Sequence, residues 1–273
     1  MAGATSPLRD ALAEAVETLE AAGVDTPRLD AELLLAAVLD VDRAALHADP
    51  QQGLDMDAAL SFDDMVRRRV RREPVAFILG RAHFRELELF VDHRVLVPRP
   101  ETELLVELAE NGQRVLDVGT GSGAIALAIA HERQGVRVTG IDNSPDAVDV
   151  ARRNADRHGL EVEFMIADLI VGGPYDLIVS NPPYVADESP DLDGSVLEWE
   201  PSQALFAGRD GLDDIRVLVA GAPDHLADGG WLLLEIGADQ GDAVRTLLIA
   251  AGYADVEIRQ DLAGHDRIAA ARQ

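Results

Sequence analysis

The tetrapeptide Asn181-Pro182-Pro183-Tyr184 closes an apolar, strand-like run from Asp176 to Ser180. The two prolines have no N–H to donate, so a sheet ladder stops there. What remains is suited to holding a ligand. The Asn181 side-chain oxygen accepts hydrogen bonds. The rigid Pro182-Pro183 backbone is expected to turn a carbonyl, that of Pro182, towards the same point. Tyr184 is expected to add a flat aromatic wall. Convergent acceptors beside a flat wall suit a planar NH2 group. The nitrogen of an amide or aryl amine is a poor nucleophile, because its lone pair is delocalised. If acceptors hold its N–H bonds out of plane, the nitrogen moves towards a tetrahedral shape and its lone pair can aim at an electrophilic methyl carbon. Positioning and aligned dipoles can supply several kcal/mol of such a barrier, with no strong base required. On this reading Asn181, Pro182 and Tyr184 are the catalytic candidates, and Pro183 joins them in holding the substrate.

A methyl donor needs its own site. The stretch VLDVGTGSGA joins a strand to a helix through Gly119, Thr120, Gly121, Ser122 and Gly123. Such glycines let a ligand approach bare backbone, and the helix behind them offers unpaired N–H groups. With Ala124 the run also fits the dinucleotide pattern G-x-G-x-x-A, so alone it is a weak signal. Asp117 favours S-adenosylmethionine over a nicotinamide cofactor. A carboxylate facing the ligand would repel a pyrophosphate but attract the ammonium of a methionine moiety. Asp142, ending the next strand, is expected to accept both ribose hydroxyls, a feature shared by both cofactor classes. Asp168 and Leu169, after the third strand, are expected to meet the adenine amine and face.

These groups must be positioned by a fold. From Arg114 onward, strand and helix patterns alternate, which implies a mainly parallel sheet with helices on both faces. The last two strands, ADVEIRQD and HDRIAAARQ, have only LAG between them and must be antiparallel neighbours. The fold class is α/β: a Rossmann-like, doubly wound sheet with an antiparallel terminal strand pair, as in class I S-adenosylmethionine methyltransferases. A small all-α bundle precedes it. Ser6-Pro7 and Thr26-Pro27 open two helices there, and a third is expected from Met56 to Arg72. The expected domains are a bundle over residues 1–80, a hairpin linker over 81–97 and the catalytic domain over 98–273.

Composition narrows the function classes. The 273 residues carry 24 basic and 50 acidic groups, a net charge of −26. Such a chain repels phosphate backbones at long range, so no direct nucleic-acid partner is expected. The absence of cysteine excludes disulfides and thiolate chemistry. The seven histidines are scattered, so no metal site is expected. No apolar run reaches membrane-span length and no secretory signal opens the chain; a cytoplasmic monomer is the expectation. The arginines of VRRRVRRE read as a solvated helix face.

Together the motifs resemble a known family. PVAFILGRAHFRELELFVDHRVLVPRPETE, VLDVGTGSGAIALAIA, SNPPYV, EPSQALFAGRDGL, LLLEIGADQG and DLAGHDRIAAAR, in that order, are similar to the peptide chain release factor N5-glutamine methyltransferases, the HemK family. The resemblance implies methyl transfer from S-adenosyl-L-methionine to the side-chain amide of the glutamine in the Gly-Gly-Gln loop of class 1 translation release factors. S-adenosyl-L-homocysteine would be the other product. It implies cofactor contacts from Gly119 to Gly123, Asp142, Leu169 and Asn181, with Asn181 beside both methyl donor and glutamine. The N-terminal bundle would grip the release factor away from the reacting loop. Arg99, Glu101 and Thr102 are expected to close over the crevice, Arg99 and Glu101 touching substrate; a helix cap with a packing role is the alternative. Glu200 would fix the loop after Tyr184. The same Asn-Pro-Pro-Tyr also suits an exocyclic base amine of DNA or RNA, and that alternative remains open, as do an oxidoreductase and a non-catalytic module that keeps the fold.

Overall fold

The computed structural model describes residues 7–110, 112–168, 170–187 and 198–273. The chain divides into two compact units at Gly80–Arg81.

The first unit is helical: α1 (Leu8–Ala21), α2 (Pro27–Leu39), α3 (Met56–Val70) and the short α4 (Val75–Leu79). Leu19, Leu34, Leu35, Phe62 and Val66 come from three of these helices and are buried in one core. The Asp55 side chain caps α3 by accepting from the Ala58 N–H, and Gly80 ends α4 in the left-handed conformation. The arginine run does not form a free basic face. Arg67 pairs with Asp63, Arg68 with Glu73 and Arg69 with Asp30, and Arg72 donates to the Gly23 carbonyl. The Arg69 and Asp30 side chains are 14% and 7% exposed, with Nε 2.7 Å from Oδ2. Removing one partner of a buried pair strands the other charge, at a cost of about 3 kcal/mol. Arg69→Met should therefore lower the urea midpoint of the full chain with little change in slope; a shift worth less than about 1 kcal/mol would show that the Thr26 hydroxyl, which donates to Asp30 Oδ1 at 2.8 Å, and water suffice for that charge.

The second unit carries a seven-stranded sheet, built from β3 (Arg114–Val118), β4 (Arg137–Asp142), β5 (Glu163–Ile166), β6 (Tyr175–Ser180), β7 (Leu226–Glu235), β8 (Ala254–Gln260) and β9 (Asp266–Arg272). Their order is β5-β4-β3-β6-β7-β9-β8. All pairs from β5 to β7 are parallel, and β9 is antiparallel to both β7 and β8. This is the expected doubly wound sheet with its antiparallel end. Helices α5 (Glu103–Glu107), α6 (Ala124–Glu132), α7 (Pro145–His158), α8 (Asp213–Gly221) and α9 (Gly241–Ala250) complete the unit. The central strands are apolar on both sides, feeding two separate buried clusters.

The hairpin expected as a linker is a packed part of this unit. Strands β1 (Ala82–Phe84) and β2 (Leu87–Leu89) pair antiparallel, and Phe84, Leu87 and Leu89 are buried in the cluster containing Leu105, Ile125 and Val148. Asn154 on α7 fastens the segment that follows: it bonds both the N–H and the carbonyl of Phe90, and donates to the Ser122 carbonyl. Among the described residues no helix is long and apolar enough to cross a membrane.

Candidate active site

Sheet register brings the key residues to one edge. Val118 on β3, Ser180 on β6 and Leu234 on β7 are aligned partners. The next residue of each strand is therefore Gly119, Asn181 and Glu235, all at the carboxyl ends of parallel strands, where ligands bind in such sheets. A crevice opens there, with Gly119, Thr120, Gly121, Ser122, Asp142 and Asn181 on its walls. Pro182, Pro183, Asp168, Arg99 and Thr102 also line it.

The glycine loop turns as the sequence requires. Gly119, Gly121 and Gly123 have φ of 71°, 55° and 82°. A Cβ at Gly119 or Gly121 would meet little but open space, so their bare side faces the crevice. Gly123 does a different job: it is the N-cap of α6, and a Cβ there would press on Leu127, Ala151 and Phe164. It packs the loop down and does not line the crevice.

Asp142 anchors the loop from the neighbouring strand. Its Oδ2 accepts from the Gly121 N–H at 2.9 Å and its Oδ1 from the Ser144 N–H at 2.9 Å. Each oxygen keeps a further lone pair. Burial pushes its carboxyl up, and the two N–H groups oppose that. Asp168 is exposed on the crevice rim, with the Asn143 amide 3.4 Å away. Leu169 lies outside the described residues.

Asp117 is not on the wall as expected. It is fully buried, its Oδ2 accepting from Thr120 Oγ1 at 2.6 Å and from the Ala126 N–H at 3.2 Å, while its Oδ1 has no partner among the described residues. The side chain is turned onto the start of α6, so it braces the loop from behind. Burial, which outweighs its hydrogen bonds, raises the Asp117 carboxyl to about 7. Between its unfolded value, about 4, and 7 the folded state holds a proton that the unfolded state has lost. Stability from this group is therefore present at low pH and declines as pH rises through 7. Asp117→Asn keeps the acceptor and removes the charge. Its melting temperature should exceed that of the native protein at pH 8, with the gap closing towards pH 4; a gap independent of pH would contradict the assignment.

At the other wall, Asn181 Nδ2 donates to Thr102 Oγ1 at 3.2 Å, and Thr102 Oγ1 donates to Glu235 Oε2 at 2.7 Å. Two sequence-derived placements need correction. Tyr184 does not line the crevice. It is half-buried against an apolar cluster, and its hydroxyl donates to Glu235 Oε1 at 3.4 Å. Burial first, then the Glu235 charge, pushes that phenol up to about 12. Glu101 is exposed and lines a second groove with Pro100, Leu104 and Leu262, and it is not among the residues on the walls of the Asn181 crevice. Arg99 does face the crevice, but its Nη2 is held 2.8 Å from both oxygens of the buried Glu200.

The segment after Tyr184 is held on both sides. Val185 and Asp187 donate to the carbonyls of Leu205 and Gly208, and the Tyr184 carbonyl accepts from Gln240 Nε2 at 2.9 Å. Gly211 must be glycine here, since a Cβ would stand 2.3 Å from the Tyr184 oxygen. Sequence reasoning gave no role to Glu235, Asn154 or Asn143. The first had a visible signal: an acid ending the apolar run WLLLE at the crevice edge of a buried strand.

Strand order, glycine loop and Asn-Pro-Pro-Tyr edge define a class I methyltransferase. Residues 100–196 match the methyltransferase small domain, and residues 10–80 match the PrmC N-terminal domain. A crystal structure of a methyltransferase from Pyrococcus furiosus shares the fold, with a TM-score of 0.54 and 22% identity over 68% of this chain and 88% of that one. More specifically, the chain belongs to the release factor glutamine methyltransferase family. It is 48% identical to the member from Xylella fastidiosa strain Temecula1, covering 96% of both chains. It is 49% identical to the member from Pseudomonas aeruginosa, covering 89% of this chain and 92% of that one. The family resemblance drawn from the motifs is borne out.

Proposed function

We propose that this protein transfers a methyl group from S-adenosyl-L-methionine to the side-chain amide nitrogen of the Gly-Gly-Gln glutamine in class 1 translation release factors. The observation that carries the reading is the setting of Asn181. Its Nδ2 is bonded to Thr102, which leaves Oδ1 as an acceptor at the strand end beside the glycine loop.

The crevice fits the cofactor electrostatically. Asp142, Asp168 and Asp214 line it, and its two arginines are each tied to a carboxylate, Arg94 to Asp92 and Arg99 to Glu200. Such a lining suits a cationic ligand and opposes a pyrophosphate, which disfavours a nicotinamide cofactor. Gly119 and Gly121 offer open backbone, and Asp142 keeps lone pairs for a ribose diol. Ala147, Ala167 and Leu218 provide apolar surface for a base.

In the mechanism, the S-adenosylmethionine that Gly119, Gly121 and Asp142 would hold would supply an electrophilic methyl group, with S-adenosylhomocysteine as the other product. Asn181 Oδ1 and the Pro182 carbonyl accept the N–H bonds of the substrate amide and turn its lone pair towards that methyl. The rigid Pro182-Pro183 backbone keeps the acceptors fixed, so no reorganisation accompanies reaction. The nitrogen gives up a proton to solvent after transfer. Tyr184 acts from behind, through Glu235. We assign the grip on the release factor to the helical unit of residues 7–80, in line with its match to the PrmC N-terminal domain.

Methylation of an exocyclic base amine is the second reading. The net charge of −26 and the paired arginines count against it. The two separate in one assay, in which labelled cofactor is offered with purified release factor, DNA or RNA. Label is expected in the release factor; label in nucleic acid alone overturns the reading.

A further inference from the structure

We propose that Thr102 and Glu235 act as a positioning relay that dictates which way the Asn181 carboxamide faces. The inference rests on the reading of Asn181 as the acceptor for the substrate amide.

A hydroxyl has one proton. Thr102 spends it on Glu235, whose Oε2 lies 2.7 Å away in a site where both residues are buried. Burial pushes the Glu235 carboxyl up, and the two hydroxyls that donate to it oppose that; with Thr102 on Oε2 and Tyr184 on Oε1, both of its oxygens are placed as acceptors, which sets the direction of the Thr102 bond. The Thr102 oxygen is then left with lone pairs alone to offer Asn181, and only the NH2 end of a carboxamide can meet them. That selects the orientation in which Nδ2 faces Thr102 and Oδ1 faces away. In the reverse orientation two oxygens would meet with no proton between them, at the 3.2 Å separation of this pair. The consequence for the reaction is direct. A substrate amide presents N–H groups and needs an acceptor. A reversed Asn181 would present N–H groups of its own and repel it.

Glu235 reaches a second element. Its Oε1 is the acceptor for the Tyr184 hydroxyl, so one carboxylate organises both ends of the Asn181–Tyr184 motif. Thr102 and Glu235 are separated by 133 positions in sequence, and the connection exists only once β7 lies beside β6.

Thr102→Val keeps the shape and removes the hydroxyl; Thr102→Ser keeps the hydroxyl. With the full chain, release factor and S-adenosylmethionine, Thr102→Val should lower kcat between about tenfold and a hundredfold, while cofactor KM and S-adenosylhomocysteine affinity stay within about threefold. Thr102→Ser should recover kcat to within about threefold of native. Glu235→Gln places a donor beside Thr102 and should also lower kcat. Its effect should largely vanish in the Thr102→Val background, because the two residues act in series. A second readout needs no substrate. In 15N-edited NMR of the native protein, the Asn181 side-chain NH2 protons should show contacts to the Thr102 methyl group. A kcat for Thr102→Val within about twofold of native, or an Asn181 NH2 without that contact, overturns the relay. Failure of the functional reading would look different: no methylation of release factor by the native protein, with the NMR contact intact.

Discussion

Asn181→Ala is expected to reduce methyl transfer to release factor by about a thousandfold in kcat while leaving S-adenosylhomocysteine affinity within about threefold. The size follows from what the side chain does. On the proposed mechanism it is one of few acceptors for the reacting nitrogen, held in place by Thr102 at the crevice wall before the substrate arrives. Loss of one such preorganised group costs about a hundredfold to a thousandfold. The upper end applies because alanine also strands the Thr102 oxygen, which then draws water into the site. Asn181 closes a strand whose register is set by β3 and β7, so the backbone should not move. Single-turnover kinetics with saturating cofactor measure the loss; retention of more than about a tenth of native kcat would remove Asn181 from the chemistry.

Asp142→Ala should act on the other half of the reaction. Its oxygens hold the Gly121 and Ser144 N–H groups and have lone pairs left for the ribose hydroxyls. Two charge-assisted hydrogen bonds at about 1.5 kcal/mol each give about a hundredfold weaker binding. Calorimetry with S-adenosylhomocysteine reads this directly, and kcat at saturating cofactor should change by less than about threefold. The pattern is the mirror of Asn181→Ala. An Asp142→Ala protein that binds within about threefold of native would mean the carboxylate serves only the loop and the α7 cap.

Much of this site was legible in the sequence because its parts are local. A strand ending in Asn-Pro-Pro-Tyr, a glycine run after another strand and an acid after the next each carry their reason within a few residues, and the parallel sheet aligns such strand ends by rule. Three of the features that escaped show why. Asp117 sits one residue before a wall-forming position, and only the packing of α6 onto the loop turns it inward. Tyr184 was read as an aromatic wall, yet its hydroxyl finds Glu235, a partner that β7 supplies from far along the chain. The hairpin of β1 and β2 shows period-two alternation, but a short alternating stretch does not reveal what covers it. Asn154 and the buried cluster around Leu105 settle that. In each case long-range packing, rather than local propensity, decided which way a side chain faces.

The central claim is that a glutamine carboxamide of a release factor receives the methyl group. Tandem mass spectrometry of release factor incubated with the native protein and S-adenosylmethionine tests it most directly. One added methyl on the side-chain nitrogen of the Gly-Gly-Gln glutamine, absent with Asn181→Ala, is the predicted result. An unmodified glutamine, or a methyl group on any other residue, would contradict the account.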